Sequence, residues 1–148
     1  KILHIVSAAV LLGAGSAIAF FMLCALNSPS LEARYFGARV TVLADYCFTL
    51  PAVIIQPASG LWLAHLGGYS FDEPWLLLAY SLYALTVLCW LPVVWIQIKL
   101  KHLARTALET KTPLSDQYHR LARLWFLLGW PAFFSLLGIL YLMTVKTA

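Results

Sequence analysis

Marking only Asp, Glu, Lys and Arg along the chain leaves four long charge-free runs, at residues 2–31, 46–71, 74–98 and 124–145. None alternates apolar and polar positions as a half-buried strand does. Each exceeds the roughly 20 residues that carry a helix across a bilayer. In lipid an isolated segment must close its own backbone hydrogen bonds, which a helix does and an open strand does not. The pattern therefore predicts four transmembrane helices, near residues 2–26, 38–66, 75–101 and 121–145.

Composition removes the main alternative. Of the 148 residues, 62% are hydrophobic and 11% charged, against about 45–50% and about 25% in soluble domains. So much apolar surface cannot be hidden in one small core, and disorder requires low hydrophobicity. The expected fold is an all-α polytopic membrane protein, with residues 1–148 forming one four-transmembrane-helix bundle. Asn27-Ser28-Pro29-Ser30 reads as the first turn and Gly67-Gly68 through Pro74 as the second. Residues 102–119 read as the one sizeable loop, broken at Lys111-Thr112-Pro113. The first run is too long for the h-region of a signal peptide, and only Lys1 precedes it. It is read as a span with a short trimmed start.

Basic residues set the expected orientation. Four spans place both termini and the 67–74 link on one face, with Lys1 and Lys146. The other face holds Arg34, Arg39, Lys99, Lys101, Arg105, Lys111, Arg120 and Arg123. Lys and Arg stay on the cytoplasmic side, so both termini are expected outside, in the periplasm of a bacterial cytoplasmic (inner) membrane. The net charge of +4 is thus a topology signal with lipid as partner. Nothing in the sequence suggests nucleic acid. The aromatic belts are expected at Trp62, Tyr69 and Trp75 outside and at Tyr118 and Trp125 inside, with Trp90 and Trp130 as deeper packing groups.

Within the helices, Ala9, Gly13 and Ala17 repeat at four-residue spacing, beside Leu11, Gly15 and Ala19. Small residues let helices approach closely in lipid. Pro51, Pro57, Pro92 and Pro131 break backbone hydrogen bonds and kink their helices. Cys24, Cys47 and Cys89 are not spaced as a zinc site or a disulfide framework. There is no P-loop, dinucleotide-binding glycine pattern, G-x-S-x-G or H-E-x-x-H.

A few polar residues inside the spans carry the candidate chemistry. His4 opens the first helix and His65 closes the second, at similar depth. Two facing imidazoles can ligate a haem iron axially, with Lys1 and Lys146 near the propionates; interfacial solvation is the alternative. His102 and His119 lie among basic residues and read as a solvated rim. Asp45 is an ionisable group about two turns inside the second helix, which is costly and points to function. Arg123 or Arg39 could pair with it, or it could serve a proton relay or a substrate. Gln56, between two prolines, could bond a freed carbonyl or a cofactor group.

Three stretches carry a resemblance. They are Lys1-Ile2-Leu3-His4 followed by Leu12-Gly13, then Asp45 to Pro51 running into Gln56-Pro57 and 60–64, and 73–76 with 90–97. With them the chain resembles a family of small bacterial predicted integral membrane proteins over nearly its whole length. More distantly, the Lys-x-x-His opening is similar to the bacterial protoporphyrinogen oxidase that carries haem b and to the copper-resistance D membrane family. That similarity implies a haem at His4. The oxidase family also uses a lysine in a later helix, and the third span here has none before Lys99.

The leading expectation is a small b-type haem redox protein or electron-transfer subunit with His4 and His65 as iron ligands and Gln56 beside them. Its electron partner would be quinone or another membrane subunit. The alternative is a cofactor-free accessory or assembly subunit of a larger membrane complex. A small carrier built on Asp45 ranks last.

Overall fold

The computed structural model describes residues 1–145, so Lys146 lies outside the described residues. Four helices follow one another: α1 (Ile2–Leu26), α2 (Leu31–Leu66), α3 (Pro74–Thr110) and α4 (Asp116–Val145), each long and apolar enough to cross a membrane. No strand occurs among the described residues. Lys1, Leu66, Trp75 and Met143 line one cleft, so both ends of the described chain share a face with the α2–α3 link. This is called the terminal end, and the opposite face the loop end.

Burial is inverted relative to a soluble protein. Ile2, Phe21, Trp62, Leu88 and Leu127 point outward with well over half their surface exposed. A soluble monomer does not carry a continuous apolar coat of this kind, whereas lipid solvates it. The interior is a compact cluster in the loop-end half, built from Met22, Ala38, Ile96, Leu100, Ala104, Tyr118 and Trp125. Tyr118 and Trp125 were expected in an interfacial belt and instead are almost fully buried. The Arg34 guanidinium lies 5.9 Å from the Tyr118 ring centre, so the cation caps the core that the ring fills.

The helices overrun the expected spans at the loop end. α3 has 37 residues, about 55 Å at 1.5 Å per residue, against a hydrocarbon layer of about 30 Å. Most of the loop expected at 102–119 is thus helix, and only 111–115 remains a turn. Ala104 and Ala107 bury one face of the extension, while Arg105 and Glu109 pair at 2.8 Å on the other. Lys111 ends it in the left-handed region at φ 52°. α2 starts earlier than expected because Ser30 caps it, its hydroxyl accepting from the Ala33 N–H at 3.1 Å.

A π-helical turn at Asp45–Thr49 divides α2. The Leu50 N–H bonds to the Asp45 carbonyl, five residues back. Pro51, one residue further on, has no N–H to give and would clash with the carbonyl four residues before it in a regular α-helix. The wider turn relieves both problems. Before it, α2 packs on α1 and α3; after it, α2 packs on α1 and has little contact with α3. The Tyr83 hydroxyl bridges that gap by donating to the Val53 carbonyl. A cleft of about 570 Å³ opens there at the terminal end. α3 and α4 form the most extensive pair, and α1 touches α4 only slightly.

The small-residue row Ala9, Gly13 and Ala17 faces outward, and a Cβ on Gly13 would meet nothing within 4 Å. Close approach occurs instead at Gly37, where an added Cβ would lie 2.2 Å from the Ala25 Cβ. Gly37→Ala must therefore push α1 and α2 apart, at about 1–3 kcal/mol. We expect it to lower the thermal midpoint in detergent, while Gly13→Ala leaves that midpoint in place. Equal midpoints for the two variants would show that the α1–α2 contact at Gly37 does not hold the bundle.

Candidate functional site

Two polar clusters lie inside the bundle. The first is at the terminal end, where α1 crosses the second half of α2. His4 Nδ1 is 2.9 Å from the Ser59 hydroxyl, and His4 Nε2 is 3.3 Å from the Gln56 amide nitrogen. The Ser7 hydroxyl bonds to the Gln56 carbonyl oxygen, and Ser59 donates to the backbone carbonyl of Gln56 at 3.1 Å. With Gln56 in this orientation its N–H donates to His4 Nε2. That leaves Nδ1 to carry the proton and give it to Ser59. The imidazole is then neutral, with its lone pair on Nε2. A partner that holds Nδ1 in this way orients a histidine as a metal ligand.

Gly60 makes room for the ring. A Cβ there would come within 3.2 Å of His4 Cε1 and 4.0 Å of the Tyr80 hydroxyl. His4 and Gln56 both line the terminal-end cleft, together with Lys1, Trp75, Tyr80 and Tyr83. His4 and Gln56, singled out by sequence from different helices, are thus brought together. Ser7 and Ser59 carried no sequence signal beyond being polar residues in apolar helices.

His65 is not part of this cluster. It is exposed, and its ring lies 6.5 Å from that of Trp62. It follows Gln56 by nine residues, so it points about 180° away around the helix. Equal depth does not place two residues on facing sides. Among the described residues no three His, Cys, Asp or Glu side chains converge as a metal-binding group. A metal that relied on several protein ligands has no home here, whereas haem iron takes its equatorial ligands from the porphyrin.

The second cluster is at the π turn. Asp45 is buried, and its Oδ1 lies 3.4 Å from Trp90 Nε1. With the Gln97 amide oriented to suit its neighbours, its N–H donates to Asp45 Oδ2 at 2.6 Å and its carbonyl accepts from Trp125 Nε1 at 3.1 Å. Trp90, read from sequence as packing, is therefore a polar partner of the carboxyl group. The ion pair considered between Asp45 and Arg123 is not formed. Arg123 is exposed, and it stands two residues before buried Trp125, about 200° around α4. Arg39 is exposed as well. Asp45 thus meets neutral donors rather than a cation, and Gln97 joins it to Trp125.

Lipid is the surrounding medium that this exposed apolar coat requires. No curated protein and no solved structure matches the chain. Residues 1–147 match the family described as predicted integral membrane protein, DUF2269. The four spans, the apolar exterior and a match over almost the whole sequence agree: this multi-pass membrane protein belongs to the DUF2269 family.

Proposed function

We propose that the protein is a small membrane redox protein that holds one b-type haem through His4 in the terminal-end cleft. The observation that carries this reading is the His4 imidazole, oriented through Nδ1 by Ser59 with its Nε2 lone pair toward Gln56 in a cleft of about 570 Å³. The residues suit the group. Gly60 lets the His4 ring lie close against α2, with Cε1 3.2 Å from where a Cβ would stand, and Trp75, Tyr80 and Tyr83 give the cleft flat aromatic walls. Lys1 at the mouth offers a cation for a propionate.

Haem in such a pocket supplies one-electron transfer at a potential set by its axial ligand and by burial. The chain's own part is to fix the ligand. Ser59 holds the proton on Nδ1, so Nε2 carries the lone pair that iron would take; Gln56, whose N–H occupies Nε2 in this structure, would turn aside while staying tied to Ser7. His65, turned away on the lipid side, has no role here, so the reading rests on one histidine rather than two. A quinone or a neighbouring membrane subunit would exchange the electron.

The accessory-subunit reading has one observation behind it, the exposed row Ala9, Gly13 and Ala17, with open space in front of Gly13. Such a row suits contact with another spanning helix. It needs no cofactor, so haem content separates the two readings.

His4→Ala is expected to abolish the Soret band of the purified protein without blocking membrane insertion. Full haem content in that variant would defeat the assignment. Ser59→Ala keeps the ligand and removes its support, so haem affinity should fall about 10–100-fold, as for other outer-shell changes. His65→Ala should leave the spectrum unchanged.

A further inference from the structure

A second cavity, of about 400 Å³, lies between α1 and α4 and reaches inward to the π turn. Its walls are apolar and aromatic: Leu11, Gly15 and Ala19 from α1 face Phe126, Gly129 and Phe133 from α4. Because α1 and α4 touch only slightly, the space between them opens sideways, toward the region lipid tails occupy. Gly15 and Gly129 both front open space, since a Cβ on either would meet nothing within 4 Å. The floor is different in kind. Asp45, Thr49, Trp90 and Gln97 line it and bring polar atoms together at one point of a mostly apolar cavity.

Thr49 is the informative member. It is 5% exposed, and its hydroxyl lies against the Asp45 carboxyl group in a geometry that falls short of a regular hydrogen bond. A buried hydroxyl held this loosely keeps most of its capacity to donate, so at a cavity wall it is well placed to serve a ligand. Asp45 itself has capacity left, because a carboxyl group accepts more bonds than Trp90 and Gln97 supply.

We propose that this cavity binds a lipid-soluble quinone or quinol, with the ring head at Asp45 and Thr49 and the tail leaving between α1 and α4. Each part of the cavity selects against other lipids. The floor lies about 9 Å along α2 beyond Arg39, the last charged residue before it, and no Lys or Arg lines the cavity to receive a phosphate or carboxylate. An anionic head there would be stripped of water beside a carboxyl group, which is strongly unfavourable. A neutral head that both accepts and donates hydrogen bonds is not. Thr49 can donate to a quinone carbonyl, and Asp45 can accept from a quinol hydroxyl. Trp90, Trp130 and Phe133 offer ring faces on which a flat head can stack.

The proposal deepens the redox reading by placing the electron partner in this chain, but binding here does not require the haem. Tryptophan fluorescence of the purified protein, titrated with decylubiquinone in mild detergent, tests it. The parent chain and Gly13→Leu, which adds bulk on the outward face, should show the same saturable quenching. Gly129→Leu fills the cavity and should weaken the saturable phase at least tenfold. Thr49→Val keeps the shape, removes the hydroxyl and should weaken it about fivefold. Quenching without saturation, or curves for Gly129→Leu and Thr49→Val that overlay the parent, would overturn the site. Competition by 1-decanol at the same concentration as the quinone would reduce it to a tail groove and overturn the head assignment. If Gly129→Leu fails to fold, Thr49→Val decides alone. A colourless protein that still binds quinone would end the haem reading and leave this one standing.

Discussion

A carboxyl group inside a hydrocarbon layer has no water to turn to, and the middle of this bundle is arranged around that constraint. Asp45 receives donors from two directions, Trp90 Nε1 and the Gln97 amide, and Gln97 is in turn held by Trp125. All of these partners are neutral. A buried charge pair bears the desolvation of both ions, whereas neutral donors avoid adding a second ion to the interior. The network joins α2, α3 and α4 at one level, next to the compact core that Met22, Ile96 and Trp125 share.

The π turn links that network to the shape of the rest. The turn that holds Asp45 also accommodates Pro51 and changes the course of α2. One half of α2 is packed between α1 and α3, and the other leans mainly on α1. The parting of α2 from α3 makes the terminal-end cleft, and His4 enters it from α1. One polar cluster thus sits on this local departure from α-helical hydrogen bonding, and the other lies in the half of α2 that follows it. Departures of this kind concentrate at functional sites.

The four spans are legible in the sequence because exclusion of charge from hydrocarbon is a one-dimensional signal, visible residue by residue. Their ends are less legible. Residues 102–110 look like loop by charge but are helix, because Ala104 and Ala107 face inward and the charges face outward. The site is half legible. His4, Gln56 and Asp45 stand out as polar residues in apolar runs, and the fold brings the first two together. What sequence depth cannot supply is rotation about the helix axis. That is why His65 points away from His4, why Arg123 misses Asp45, and why Ser7, Ser59 and Gln97 take part. The π turn leaves no composition signal beyond the proline that follows it.

In the proposed reading His4 holds one haem per chain. Haem content of the protein purified from cells supplied with ample haem, measured as the pyridine haemochrome per mole of chain, tests it most directly. A b-type spectrum at close to one haem per chain is expected. A fully folded, colourless protein would contradict it.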